Sequence, residues 1–162
     1  TDLTKPGPET RKLVAALGDD FENDIAKLHG LSAAVLEKVA YQTGKTNAET
    51  TAEAAIKTGE GVCQDHSHIF CTAARLLGFP ARYVSGYLMM SDRVDQDATH
   101  AWAEAYVQGL GWVGFDISNG YSPDERYVRI ATGLDYREAS PISGMRYGAA
   151  KEDMIVTLQV QQ

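Results

Sequence analysis

Apolar positions recur at helical intervals through the first half of the chain and at alternating intervals through the second. After an entry segment carrying Pro6, Gly7 and Pro8, the spacing predicts a helix from Glu9 to about Leu17, closed by Gly18. Phe21, Ile25 and Leu28 predict a second helix that stops near Gly30. Leu31 to Val39 predicts a third, running to Gly44. Thr50 followed by Glu53 reads as a capping box opening a short helix, Thr51 to Lys57, ended by Gly59. Residues 63–77 predict one more helix, and Gly78-Phe79-Pro80 terminates it. From Ala81 the period changes to two. Strands are expected at Ala81–Met90, Thr99–Val107, Trp112–Ile117, Tyr127–Ala131 and Met154–Val160, with Ser91–Ala98 a polar acidic loop. Helices first and antiparallel strands afterwards define an α+β architecture, not a wound parallel sheet.

Composition narrows the function classes. The 162 residues are 44% hydrophobic and 23% charged, one domain's worth of folding chain. No apolar run approaches the roughly 20 residues of a membrane helix. Fifteen Lys and Arg against 22 Asp and Glu leave a net charge of −7, so neither nucleic acid nor membrane is an expected partner. Cys63 and Cys71 lie eight residues apart in one predicted helix, about 12 Å, too far for a disulfide. Two free thiols suit a reducing compartment, and the cytoplasm is the expected location. The chain begins at Thr1 without Met, so a fragment of a longer protein is expected.

Cys63 is the first candidate for chemistry. A glycine-rich approach, Gly59-Glu60-Gly61, brings backbone close to it. It opens a helix, where unpaired N–H groups and the macrodipole favour a thiolate and can hold an oxyanion. Cys71, mid-helix among apolar residues, reads as core. A thiolate nucleophile needs a base, and the base an orienting group. His29 reads as a surface or cap residue. His66, one turn along from Cys63, aims at the helix flank.

His100 has the better setting. Alternation puts His100, Trp102, Glu104 and Tyr106 on one face of its strand and three alanines with Val107 on the other. In the next strand Trp112, Gly114 and Asp116 share a face. A hairpin centred on residue 108 sets His100 directly across from Asp116, one centred a residue later makes the pair diagonal on the same face, and a half-step register puts them on opposite faces unless a bulge restores the phase. A zinc site from Cys63, His66, His68 and Cys71 fails on geometry, because His66 and His68 point about 200° apart on a helix.

Four segments carry a family resemblance. They are Gly-Glu-Gly-Val-Cys-Gln-Asp-His-Ser-His (59–68), Gly-Phe-Pro-Ala-Arg-Tyr-Val-Ser-Gly-Tyr (78–87), His-Ala-Trp-Ala-Glu-Ala-Tyr-Val (100–107) and Gly-Trp-Val-Gly-Phe-Asp (111–116). In this order they resemble the transglutaminase-like superfamily, within it the bacterial proteins described as predicted cysteine proteases. The resemblance covers about residues 35–133. It implies a papain-like (cysteine proteinase) fold, with an antiparallel sheet or partial barrel packed on the Cys63 helix. It also implies a catalytic triad of Cys63, His100 and Asp116 acting on peptide or glutamine-type amides, with no cofactor or metal. Residues 1–162 then form one catalytic domain, and larger relatives carry a further N-terminal β-rich region.

Animal members are calcium-activated, but Asp92, Asp95 and Asp97 lack the ligand spacing and glycine of an EF-hand loop and read as a solvated cleft rim. Cys63 with Tyr41 or Gln42 are the oxyanion-hole candidates, and Trp102 and Trp112 the substrate-cleft candidates. Hydrolysis is the favoured outcome. Amine transfer (cross-linking), or a peptide-binding module without turnover, are the alternatives.

Overall fold

The computed structural model describes residues 1–89 and 99–142 in full, and the backbone at 95–96 and 158–159. Helix α1 (Pro8–Leu17) has no side-chain cap of its own. Glu53, from helix α3 (Ala52–Thr58), supplies one across space: its carboxylate accepts from Glu9 N at 2.6 Å and Thr10 N at 3.1 Å. The expected Thr50–Glu53 capping box is therefore not formed. Thr51 caps α3 by accepting from Ala54 N, and Thr50 accepts from Asn47 N.

The two helices expected either side of Gly30 are one, α2 (Asp24–Lys38). Gly30 is there for packing: a Cβ would strike the Phe21 ring. Val39 ends α2, and the next residues form strand β1 (Ala40–Tyr41), paired in parallel with β2 (Glu60–Gly61).

Helix α4 (Cys63–Leu76) is the axis of the core. Every residue from Asp65 to Ala74 is buried, because α1, α2 and α3 pack on one side and a sheet on the other. That sheet is antiparallel, in the order β6 (Gly111–Phe115), β5 (His100–Val107), β3 (Ala81–Leu88) and β7 (Tyr127–Gly133). The alanine face of β5, with Val107, lies on α4 with Phe115, whose ring stacks on Phe70 at 5.0 Å. The expected acidic loop contains a two-residue strand, β4 (Asp95–Gln96), paired with β8 (Leu158–Gln159). The rest of that loop, with Asp92 and Asp97, lies outside the described residues, as does most of the strand expected at Met154–Val160. Among the described residues no helix is long and apolar enough to cross a membrane.

Two histidines are built into α4 as core. His66 bonds the Val39 carbonyl at 2.9 Å through Nε2 and Ser118 Oγ at 2.8 Å through Nδ1. His68 Nε2 accepts the Tyr136 N–H at 3.1 Å, so the ring proton sits on Nδ1, which has no partner. Burial holds the His68 imidazole neutral and depresses it from 6.5 to about 4. The folded value lies below the unfolded one, so the stability linked to His68 is complete above about pH 6.5. It is lost as pH falls toward 4, by up to about 3 kcal/mol. Asp65, whose carboxyl burial pushes upward from 3.8, acts in the opposite sense. Urea unfolding at pH 7 and pH 4.5 should therefore show a large loss of stability in acid that a His68→Gln variant loses in part. An equal acid loss in that variant excludes His68 as the source.

Candidate active site

Cys63 occupies the first turn of α4, where its N–H has no intrahelical acceptor. Asp65 supports this turn: its Oδ2 accepts from Val62 N at 2.8 Å and from Thr46 Oγ1 at 2.6 Å. A Cβ on Gly61 would press on the Asp65 side chain, so glycine there lets β2 run close beneath the helix start. Cys63 is half-buried and Cys71 fully buried, both as free thiols. Burial pushes the Cys71 thiol up to about 12, which removes it as a nucleophile.

His100 begins β5, and Asp116 follows β6. The ladder pairs Ala103 with Phe115 and Val107 with Gly111, so the hairpin is centred on residue 109. The pair is thus diagonal, the second of the two registers that keep both residues on one face, and His100 Nε2 lies 2.6 Å from Asp116 Oδ2. Cys63 stands within side-chain hydrogen-bonding reach of the same imidazole. With Nε2 engaged by Asp116, Nδ1 is the nitrogen left for the sulfur. Burial disfavours charge on this ring, but the bonds to Asp116 and Cys63 outweigh it and raise His100 from 6.5 to about 10.

Asp116 is fully buried and would be costly to ionise without donors. Besides His100, Oδ2 accepts from Asn119 Nδ2 at 2.7 Å and Tyr127 Oη at 2.6 Å, and Oδ1 accepts from Asn119 N at 3.2 Å. Burial pushes the carboxyl upward, yet these bonds hold it below its ordinary 3.8. Asn119 and Tyr127 are absent from the residues singled out in the sequence. Asn119 had a signal: it lies three residues after Asp116 and before Gly120, whose left-handed φ of 74° closes the turn. Tyr127 had none, because it arrives from a strand eleven residues on.

The remaining candidates divide. Trp102 is 2% exposed and lies behind His100, ring centroids 6.3 Å apart, so it backs the imidazole and does not line an open cleft. Trp112 is exposed, but its partners are Arg82, whose guanidinium sits 4.0 Å from the ring centroid, and Tyr106. Tyr106 is six residues along β5 from His100, about 20 Å of strand, so Trp112 stands away from the sulfur. Gln42 has its backbone N–H committed to the Gly61 carbonyl at 2.7 Å, which leaves only its side chain as a possible oxyanion donor. The Tyr41 phenol is raised by partial burial and by its nearness to Cys63 and Asp116, so it stays a donor beside the site. Among the described residues no group of three or more His, Cys, Asp or Glu could hold a metal ion.

A helix-borne cysteine facing a strand-borne histidine and aspartate defines a class, and comparison with known proteins gives its family. The transglutaminase-like superfamily model matches residues 11–117, and the chain belongs to that family. An uncharacterized protein of Mycobacterium leprae is 31% identical over 159 residues, covering 91% of this chain and 55% of that protein. A protein-glutamine gamma-glutamyltransferase of Pseudomonas aeruginosa is 27% identical over 154 residues, covering 82% of this chain and 22% of that protein. The crystal structure of a candidate cysteine protease from Cytophaga hutchinsonii superimposes with a TM-score of 0.72 at 28% identity, covering 99% of this chain and 55% of the other. The fold is papain-like, and the chain spans about half the length of the curated relatives it matches.

Proposed function

We propose that this domain is a cysteine-nucleophile amidase or peptidase, with Cys63, His100 and Asp116 as its triad and hydrolysis as the favoured outcome. The observation that carries the reading is the alignment of Cys63, His100 and Asp116, with the imidazole held at 2.6 Å by a carboxylate of 0% exposure. His100 is raised to about 10 by its bonds to Asp116 and Cys63, so the imidazole is a base strong enough to take the Cys63 proton as the sulfur attacks. The sulfur attacks the carbonyl carbon of an amide, and the carbonyl electron pair moves to oxygen. The Cys63 N–H and the Tyr41 hydroxyl are the donors proposed for that oxyanion. Collapse breaks the C–N bond, and His100 gives its proton to the leaving nitrogen, releasing ammonia or a peptide amine. Water, deprotonated by His100, then cleaves the thioester and restores the starting pair. The P. aeruginosa relative favours a second reading, in which an amine takes the place of water and an isopeptide bond forms.

The test is iodoacetamide labelling at pH 6, read by mass spectrometry of the Cys63 peptide. Wild type should label at Cys63, and Cys63→Ala should not label at all. Absence of labelling in the wild type, or equal labelling of both, would exclude an activated Cys63. Profiling on glutamine-containing and ordinary peptides, with and without a primary amine, then separates hydrolysis from transfer.

A further inference from the structure

The donors around Asp116 point beyond the three residues of the proposed triad. One oxygen, Oδ2, accepts from His100, Asn119 and Tyr127 at 2.6, 2.7 and 2.6 Å. Asn119 belongs to the same turn as Asp116. Tyr127 opens the edge strand β7, and its ring packs against both His100, at 5.9 Å, and Trp102, at 5.4 Å and 85°. The phenol therefore reaches Asp116 from a different element, at a fixed angle. It is not alone: the Tyr121 ring stands edge-on to Tyr127 at 6.5 Å, its side chain near enough to act on the Tyr127 hydroxyl. Since the Tyr127 hydroxyl donates to Asp116, any bond from Tyr121 is one that it accepts. Tyr121 also binds the Asp116 N–H through its own carbonyl at 2.9 Å, and is 39% exposed with Arg126 over its ring.

We propose that Tyr127 is a positioning residue for the reaction: its hydroxyl shares the Asp116 carboxylate with His100, and Tyr121 backs that hydroxyl from the solvent side. The inference rests on the triad reading and deepens it. A carboxylate oxygen divided among three donors gives each a part of its charge. Removing the phenol leaves more charge for the imidazole, so the His100–Asp116 bond tightens and the ring holds its proton to higher pH. The other groups facing this pair are Cys63 and His66 from α4 and Tyr41 from β1, with Arg126 beyond Tyr121. None of them donates to Oδ2. The Tyr127 hydroxyl is held protonated by burial and by its bond to Asp116, so it remains a donor throughout the titration.

The test is the titration of His100, one of four imidazoles, followed by NMR together with the pH profile of Cys63 alkylation. Tyr127→Phe keeps the ring packing and removes only the hydroxyl. The His100 midpoint should rise by roughly half a unit, and the alkaline limb of the alkylation profile should move with it. Tyr121→Phe should shift both the same way by less, and the double variant should shift no further than Tyr127→Phe, because Tyr121 acts through Tyr127. Should Tyr127→Phe fail to fold, Tyr121→Phe, altered at a partly exposed side chain, carries the test. A folded variant with an unchanged or lowered His100 midpoint overturns the positioning role. Additive shifts overturn the part given to Tyr121. A wild-type His100 that titrates like a free imidazole, with Cys63 unreactive, instead overturns the triad reading itself.

Discussion

Asp116→Asn is expected to lower turnover of an amide substrate by about 10³- to 10⁴-fold while leaving the fold intact. The side chains are nearly isosteric, so the Phe115–Phe70 contact and the hairpin survive. What changes is the charge. In the native protein burial opposes protonation of His100, and the hydrogen bond to the Asp116 carboxylate does most to overcome it. With Asn in place that charged acceptor is gone, and only Cys63 is left to oppose desolvation. The His100 midpoint should then fall well below about 10. The variant ring holds a proton for the leaving nitrogen less firmly, and its orientation is no longer set by a charged acceptor on Nε2. Stability follows the same sign. The native His100 value is raised, so its stabilising contribution is whole below about pH 6.5 and disappears as pH rises through 10. Asp116→Asn should therefore cost stability at pH 7 and progressively less toward pH 10. The measurements are kcat on a reporter amide, His100 titration by NMR, and urea unfolding at pH 7 and pH 10. Native-like turnover in the variant would exclude a catalytic role for Asp116.

The residues that meet at the site were legible for different reasons. Cys63 was visible because a glycine-rich approach and a helix start can be read locally. His100 and Asp116 were visible because strand alternation places side chains on a face without knowledge of the tertiary fold. Their register was ambiguous by one residue, and the turn decided it: a three-residue loop, Gln108–Leu110, with Gly109 and Gly111 at φ of 85°, moves the hairpin centre to 109. What was not legible depends on contacts across the chain. Glu53 looked like a local capping residue, but its carboxylate serves a helix more than forty residues away. Gly30 looked like a helix stop because the Phe21 ring that fills its place is invisible to periodicity. Trp102 and Trp112 shared an aromatic signature with opposite outcomes, since burial under Tyr127 and exposure beside Arg82 are set by which strand lies next door. Tyr127 could not be found at all, because only the β3–β7 pairing brings it back to Asp116.

That pairing gives the second large effect. Gly86→Ala should destabilise the protein by about 3 kcal/mol or more, lowering Tm by roughly 10 °C for a domain of this size, and should remove activity from whatever remains folded. Gly86 sits at the irregularity where the β3–β7 register shifts. A Cβ there would lie deep inside contact distance of the Val128 carbonyl oxygen and 2.7 Å from the Trp102 ring. Neither neighbour can yield cheaply. The carbonyl is backbone of a paired strand, and the indole is enclosed by His100 and Tyr127. Relief must come from moving β7 outward or Trp102 forward. The first draws Tyr127, adjacent to Val128, away from Asp116. The second displaces the His100 ring from its bond to the same carboxylate. Gly114→Ala is the matched control: its Cβ would meet only the Pro123 ring at 3.0 Å, on a surface segment that can shift. Thermal unfolding of both variants, with Cys63 alkylation measured well below each midpoint, separates lost stability from lost geometry. If Gly86→Ala matched Gly114→Ala in both readouts, the close packing of β7 on Trp102 would not be what holds the imidazole and its aspartate in place.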